Sequence, residues 1–241
     1  MITTEEHREY LKNGIPEEML LPAEYDNVEV WKKYLAEDDK AIYGGGSNDP
    51  RMIYYANRIL AKVAGIESYM PPWGRLVDIG AGYNSIQGLT PSNVQYYPVD
   101  ILKHTPLTIL IKPGEIGFED KSINCVTSCN VFQHLHKVER QKYAEEAFRV
   151  LEPLGMFFVA ASMDVGIVHR PLQEYRDGRS YAITGDYLAI CPDTDELNNW
   201  GNITDSEFKF VKMNLSSRGD GFGSVWYKKV PVEQEGQDDT E

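Results

Sequence analysis

The strongest signal in the sequence is the segment Arg75-Leu-Val-Asp-Ile-Gly-Ala-Gly-Tyr-Asn-Ser85. Residues 76–79, apolar apart from Asp78, are typical of a short buried strand, and Gly80-Ala81-Gly82 predicts a tight turn that leaves this strand. Two glycines so close together let the backbone approach a ligand that a side chain would block. We therefore expect a ligand-binding turn at the end of this strand.

A second apolar run, Val94-Gln-Tyr-Tyr-Pro-Val-Asp100, ends in an acid. An acid about 20 residues beyond a glycine turn is well placed to accept a hydrogen bond from a ribose hydroxyl. A cap for the segment that follows is the alternative role for Asp100, but the turn and the acid together predict a nucleoside-containing cofactor.

Composition limits the class of protein. With 241 residues, 42% hydrophobic and 11% aromatic, the chain can form one domain with a packed core and an elaborated end. A formal net charge of −13 argues against nucleic acid as the main partner. No apolar stretch reaches the roughly 18 residues of a membrane span, and the first residues carry no export signal. We expect a cytoplasmic protein that is not bound to a membrane.

The cysteines predict neither a disulfide nor a zinc site. Cys125 and Cys129 fall in one predicted strand, four residues and about 13 Å apart, which is too far for a disulfide. Together with Cys191 they form no Cys-x-x-Cys or Cys/His cluster. We interpret them as small buried residues in a reducing compartment.

The order of predicted elements gives the domain organisation. Residues 1–72 are predicted to form an N-terminal helical cap, and residues 73–231 a domain in which strands and helices alternate, with an insertion at about 165–200. Such alternation favours a parallel sheet with helices on both faces. The predicted strands are 75–79, 94–99, 107–111, 123–129, 156–162, 206–214 and 222–230, with a helix at 138–151. The turn cluster at 216–221 joins the last two strands as a hairpin, so the final strand is antiparallel to its neighbour, and residues 232–241 are predicted to be a disordered acidic tail.

The glycine turn alone is weak evidence, because Ser85 stands where a dinucleotide-binding fingerprint has its third glycine. Asp78-Ile-Gly-Ala-Gly instead resembles the first motif of class I S-adenosylmethionine-dependent methyltransferases, especially the small-molecule group. Three later passages resemble the same family: Gly117-Phe-Glu-Asp-Lys-Ser-Ile-Asn-Cys-Val126, Thr127-Ser-Cys-Asn-Val-Phe-Gln-His-Leu135 and Ala147-Phe-Arg-Val-Leu-Glu-Pro-Leu-Gly-Met-Phe-Phe-Val159.

The resemblance implies a three-layer, Rossmann-like α/β fold with a seven-stranded, mostly parallel sheet that ends in the antiparallel hairpin. It also implies S-adenosylmethionine as the cofactor and places the cofactor-binding residues at Asp78, Gly80, Ala81, Gly82, Asp100, Ile101, Glu115, Ile116, Asn130 and Val131. Asp78 corresponds to the acid near the methionine amino group, and Asp100 to the ribose acid.

The sequence departs from the family pattern at two places. Asn84 replaces the third glycine of the first motif, and Lys112 occupies the position of the acid that faces the adenine amino group. Glu115 takes that role only if the loop is shifted. Asn130 and its neighbour Ser128 are read either as site residues or as partners of backbone groups at the strand end.

The implied activity is methyl transfer to an oxygen or nitrogen of a small molecule, without a metal. His134 is the first candidate for a general base and Asp164 the second. A structural role for His134 and a solvated turn role for Asp164 stay open. Two other classes of protein also stay open: a non-catalytic binding module with this fold and, less favoured, a nicotinamide-dependent dehydrogenase.

Overall fold

The computed structural model describes residues 50–132, 135, 137–162, 173–174, 180–181, 208–215 and 221–228. These residues form two α-helices, α1 (Pro50–Val63) and α2 (Lys137–Val150). The strands are β1 (Gly74–Ile79), β2 (Val94–Asp100), β3 (Ile109–Leu110), β4 (Ile123–Cys129), β5 (Leu151–Ser162), β6 (Gln173–Glu174), β7 (Ser180–Tyr181), β8 (Phe208–Leu215) and β9 (Gly221–Lys228).

Five strands form a parallel sheet in the order β3-β2-β1-β4-β5. Ile79 at the end of β1 is in register with Val99 of β2 and with Ser128 of β4. The carboxyl ends of these three strands therefore meet at one edge of the sheet. This arrangement confirms the predicted Rossmann-like α/β fold for the parallel part of the chain.

Beyond β5 the sheet continues with antiparallel strands. Phe158 of β5 is in register with Val225 of β9, and β8 runs antiparallel to β9, with Phe210 opposite Trp226. The short strands β6 and β7 pair with each other in a separate sheet.

Both faces of the parallel sheet are covered, which is why consecutive residues of β1 such as Leu76 and Val77 are both buried. On one face, Val77 and Ile79 belong to a core cluster with residues of α2 such as Tyr143, Ala144 and Ala147. On the other face the second cluster joins α1 and the residues after it to β4 and β5, through Ala61, Ala64, Ile66, Cys129, Phe158 and Ala160.

The two described cysteines behave as the sequence predicts. Cys125 and Cys129 both lie in β4, are buried and form no disulfide. Burial raises the pKa of the Cys125 thiol to about 12, so it is a neutral core residue at physiological pH. Cys191 lies outside the described residues.

The outer parts of the predicted domain scheme remain predictions. Most of the cap at 1–72, almost all of the insertion at 165–200 and the whole tail at 232–241 lie outside the described residues. Over the part of the chain that is described, no helix is both long and apolar enough to cross a membrane.

Candidate functional site

The glycine turn follows β1 at the carboxyl edge of the sheet. Gly80 and Gly82 both have left-handed backbones, with φ of 65° and 50°. A Cβ atom on Gly80 would lie 2.3 Å from Cγ2 of Val131, whereas a Cβ atom on Gly82 would meet nothing within 4 Å. Gly80 is therefore needed for close packing against the segment after β4, while Gly82 borders open space in which a ligand can approach the backbone.

Ala81 fixes the turn to the neighbouring strand. Its backbone N–H donates to the carbonyl of Val99 at 3.1 Å, and its side chain is buried. The backbone of Ala81 therefore holds the turn against the end of β2, next to Asp100.

The Asp100 carboxylate connects the end of β2 to the glycine turn. Oδ2 accepts a hydrogen bond from the backbone N–H of Gly82 at 3.0 Å, and Oδ1 accepts one from the N–H of Leu102 at 3.0 Å. The backbone N–H of Ile101 also faces this carboxylate. An ionised carboxylate offers about four acceptor positions, so capacity remains for a hydroxyl of a ribose.

His104 lies beside the same carboxylate. Its Nε2 is 3.7 Å from Oδ1 of Asp100, and its ring packs edge-on against Tyr83 of the glycine turn, with centroids 5.3 Å apart. Burial raises the pKa of Asp100, and the charge of His104 acts in the opposite direction. His104 was not predicted as a site residue; its signal in the sequence is a histidine four residues after the predicted ribose acid.

Asp78 is buried in a hydrogen-bonded network on the α1 side of the sheet. The Tyr96 hydroxyl donates to its Oδ2 at 2.6 Å, and the Thr127 hydroxyl donates to its Oδ1 at 3.0 Å. Burial raises the pKa of Asp78 to about 7, although both hydrogen bonds favour the charged form. Asp100 contributes to the rise, because two carboxylates near each other disfavour ionisation of both.

Tyr96 and Thr127 were not predicted as site residues from the sequence. Both occupy strands adjacent to β1: Thr127 is in register with Asp78, and Tyr96 with Leu76. Residues of neighbouring strands that share a face lie within reach of one another. The sequence of each strand includes several polar residues, so it does not single out Tyr96 or Thr127.

Asn84 occupies the position of the missing glycine with a backbone that suits a glycine. Its φ is 61°, a left-handed value that asparagine tolerates better than most residues. Its side chain is buried, and Nδ2 donates to the Thr105 hydroxyl at 3.2 Å. Its Oδ1 is buried without a hydrogen-bond partner among the described residues.

The segment after β4 contributes the third strand end of the site, beside the ends of β1 and β2. Asn130 has φ of 63°, its N–H donates to the carbonyl of Ala160 at 2.7 Å, and its Nδ2 donates to Oδ1 of Asn57 in α1 at 3.1 Å. The Ser128 hydroxyl donates to the Ile79 carbonyl at 3.2 Å. Ser128 therefore satisfies a backbone group, and Asn130 anchors the strand end to α1.

The two predicted residues of the loop after β3 differ in their surroundings. Glu115 is exposed and pairs with Lys112, Oε1 to Nζ at 3.7 Å. Ile116 is fully buried in the core cluster beneath α2, and its N–H donates to Oε2 of Glu146 at 3.2 Å. Lys112 and Glu115 therefore neutralise each other at the place where the family pattern has a single acid.

Most predicted cofactor residues thus meet at one edge of the sheet, from the ends of β1, β2 and β4. The two candidate general bases, His134 and Asp164, lie outside the described residues. Across the described ranges, no group of three or more His, Cys, Asp or Glu side chains is arranged to hold a metal ion.

The site lies within a segment that matches a known family. Residues 77–159 match the family described as methyltransferase domain, a range that includes the glycine turn, Asp78, Asp100 and Asn130. No curated protein sequence matches the chain significantly.

Solved structures of similar fold include three from different organisms. The PH0226 protein of Pyrococcus horikoshii OT3 is 15% identical with a TM-score of 0.58, over 75% of this chain and 94% of that chain. The 1,6-didemethyltoxoflavin-N1-methyltransferase of Burkholderia thailandensis, with bound 1,6-didemethyltoxoflavin and S-adenosylhomocysteine, is 15% identical with a TM-score of 0.54, over 88% and 94%. The magnesium protoporphyrin IX methyltransferase of Synechocystis PCC 6803, with bound S-adenosylmethionine, is 12% identical with a TM-score of 0.56, over 87% and 100%.

At these identities the solved structures establish the fold. The segment that holds the site, residues 77–159, is similar to the methyltransferase domain family.

Proposed function

We propose that this protein is a class I methyltransferase that transfers the methyl group of S-adenosylmethionine to an oxygen or nitrogen atom of a small molecule. One observation carries the proposal: the Gly82 N–H and the Asp100 carboxylate meet at 3.0 Å beside open space at the carboxyl edge of the sheet. Open parallel sheets bind their ligands at this edge.

The residues fit the parts of the cofactor. Asp100, with acceptor capacity left after its backbone hydrogen bonds, suits the ribose hydroxyls. Asp78 suits the cationic methionine amino group, because a positive charge nearby favours the ionised form of a buried carboxylate. In this proposal Gly80, Ala81 and Gly82 border the cofactor through their backbone, and Ile101, Asn130 and Val131 complete its surroundings.

The adenine end is assigned to the loop after β3. Glu115 and Ile116 are the proposed residues there, with Ile116 buried and Glu115 exposed beside Lys112. Because Glu115 is paired with Lys112, we expect it to contact the adenine amino group only when the loop moves from this arrangement.

The cofactor supplies a methyl group that its sulfonium charge already activates, so the protein has little covalent chemistry to perform. Its residues must hold the acceptor atom about 3 Å from the methyl group and exclude water. His134 is the first proposed general base and Asp164 the second, each taking a proton from the acceptor hydroxyl or amine.

A small-molecule acceptor is supported by charge and by similarity. The net charge of −13 disfavours nucleic acid, which is bound through Lys and Arg. Two of the similar structures are methyltransferases named for small molecules, a toxoflavin precursor and a magnesium porphyrin. We propose that the acceptor is recognised by the cap at 1–72 and the insertion at 165–200, in a cytoplasmic enzyme.

The proposal includes the complete domain architecture. It comprises a seven-stranded sheet closed by the C-terminal hairpin, the N-terminal helical cap and an acidic tail at 232–241. The antiparallel registers of β5 with β9 and of β9 with β8 support the sheet.

The first test is thermal unfolding with S-adenosylmethionine, S-adenosylhomocysteine or NAD. A ligand at 100 times its Kd stabilises the native state by about 2.7 kcal/mol. We expect both sulfur nucleosides to raise the Tm, NAD to leave it unchanged, and Asp100→Ala to remove the effect. Glu119→Ala, an exposed acid before β4, is the matched control and should respond like the wild type.

The second test is transfer of a labelled methyl group to a panel of small hydroxyl and amine compounds. Labelled product from such a compound with the wild type would support the acceptor class. Loss of that product in His134→Ala would support His134 as the base. Cofactor binding with transfer only to protein or RNA would overturn the small-molecule proposal. Binding without any transfer would favour the non-catalytic module.

A further inference from the structure

The Asn84 side chain carries a buried polar atom that the fold leaves unpaired. Asn84 is 6% exposed, and its Oδ1 is the one buried side-chain N or O atom without a hydrogen-bond partner among the described residues. Leaving a buried acceptor unpaired is unfavourable, so such an atom in a native site calls for a donor.

The rest of the side chain is held in place. Nδ2 donates to the Thr105 hydroxyl at 3.2 Å, and the backbone N–H of Asn84 donates to the Ala81 carbonyl at 2.8 Å. Thr105 is fixed in turn, because its hydroxyl lies 3.1 Å from that of Thr108 and accepts the N–H of Leu107 at 3.3 Å. The unpaired oxygen therefore belongs to an ordered amide.

Asn84 and Asp100 join the same two segments of the chain. Asp100 accepts from Gly82, two residues before Asn84, and lies 3.7 Å from His104, the residue before Thr105. The Asn84 amide, through its Nδ2, and the Asp100 carboxylate thus both connect the glycine turn to the loop after β2. A ribose presents two adjacent hydroxyl donors, and Asp100 already accepts backbone N–H groups.

We infer that Asn84 Oδ1 accepts a hydrogen bond from a hydroxyl of the cofactor ribose, so that Asn84 and Asp100 bind the two hydroxyls jointly. The inference rests on the proposed cofactor site. It assigns a binding role to a position at which the family pattern has a glycine and therefore no side chain.

The test compares Asn84→Gly with the wild type by calorimetric titration of S-adenosylhomocysteine and of 5′-methylthioadenosine, which keeps the ribose but lacks the amino-acid end. Glycine suits the φ of 61°, so the variant should fold, and its Tm without ligand checks this. Asn93→Gly is the control, because Asn93 is exposed next to the amino end of β2, at the opposite edge of the sheet.

We expect Asn84→Gly to weaken binding of both ligands by the same factor, about fivefold to tenfold, and Asn93→Gly to weaken neither. The 2′- and 3′-deoxy forms of 5′-methylthioadenosine identify the hydroxyl, since one of them should bind the wild type and Asn84→Gly equally well. Unchanged affinity for both ligands in Asn84→Gly would overturn the inference, as would a loss confined to S-adenosylhomocysteine. Failure of the wild type to bind either ligand would instead count against the cofactor site itself.

Discussion

The hydroxyl of Tyr96 donates a hydrogen bond of 2.6 Å to Oδ2 of Asp78, from the strand next to the one that leads into the glycine turn. Asp78 is fully buried, and the same contact that orients its carboxylate also favours its charged form. Tyr96 therefore controls both the position and the charge of the acid proposed to meet the methionine amino group.

Replacing Tyr96 with phenylalanine should weaken both stability and cofactor binding. Tyr96→Phe removes one of two hydroxyl donors to Asp78, so we expect the pKa of Asp78 to rise further and the free energy of unfolding to fall by about 1–3 kcal/mol. Binding of S-adenosylhomocysteine should weaken at neutral pH, because less of Asp78 is ionised. Urea unfolding and calorimetric titration measure the two effects.

Tyr97→Phe is the matched control. Tyr97 is adjacent in β2 and packs its ring against Phe118, with centroids 5.1 Å apart, on the other face of the sheet. A loss of binding in Tyr97→Phe equal to that in Tyr96→Phe would show that the Asp78 contact is not the cause.

The raised pKa of Asp78 gives stability a defined pH dependence. Its ordinary pKa of 3.8 is raised to about 7 in the folded protein, so between these values the native state binds more protons than the unfolded state. The contribution of Asp78 to the free energy of unfolding is therefore greatest below about pH 4. It falls by up to about 1.4 kcal/mol per pH unit as the pH rises toward 7.

Asp78→Asn isolates this effect, because the amide keeps an acceptor for Tyr96 and cannot ionise. We expect the stability of the variant relative to the wild type to increase steadily between pH 4 and pH 7 in urea unfolding, while its cofactor binding is lost. A constant difference across this range would mean that Asp78 titrates normally.

The parallel half of the fold was predictable from sequence because its strands are buried on both faces. The predicted strand 123–129 coincides with β4, and the predicted helix 138–151 differs from α2 by one residue at each end. The segment 107–111 was predicted as a longer strand than β3, which keeps only Ile109 and Leu110; both are exposed at the edge of the sheet.

Helix α1 shows where an apolar pattern misleads. The sequence places Ile59 and Val63 at helical spacing with other apolar residues, yet these two side chains are 62% and 50% exposed. The helix instead buries Asn57 and Ala61, and small residues allow it to lie close to β4 and β5. The small size and the hydrogen bonding of these side chains, rather than their hydrophobicity, determine which face of α1 is buried.

The site was predictable only in its outline. The glycine turn and both strand-end acids follow from local sequence, but Tyr96, Thr127 and His104 act on those acids across strands or loops. Such partners depend on register, which a single sequence does not contain.

His104 should support cofactor binding through Asp100. With Nε2 at 3.7 Å from the carboxylate, the charge of His104 opposes the rise in the pKa of Asp100 that burial produces. His104→Ala should therefore raise that pKa and weaken S-adenosylhomocysteine binding several-fold in calorimetric titration. Lys103→Ala, which removes an exposed neighbouring cation, should leave the affinity unchanged.

Replacing Gly80 or Gly82 of the turn with alanine should lower the free energy of unfolding by different amounts. Gly80→Ala places a methyl group 2.3 Å from Cγ2 of Val131, in addition to strain at φ of 65°, so we expect a loss of several kcal/mol in the free energy of unfolding. Gly82→Ala meets no atom within 4 Å, so only the backbone strain at φ of 50° remains, about 1 kcal/mol.

Gly82→Ala should weaken cofactor binding more than Gly80→Ala does, which is the reverse of their expected order for stability. The methyl group of Gly82→Ala projects into the open space beside Asp100, so this nearly stable variant should lose most of its S-adenosylhomocysteine binding. Adding Val131→Ala to Gly80→Ala should restore part of its stability, because it removes the side chain that the new methyl group contacts. Adding Val131→Ala to Gly82→Ala should not restore its cofactor binding. Urea unfolding and calorimetric titration of the four variants test the pattern, and equal binding losses in Gly80→Ala and Gly82→Ala would contradict it.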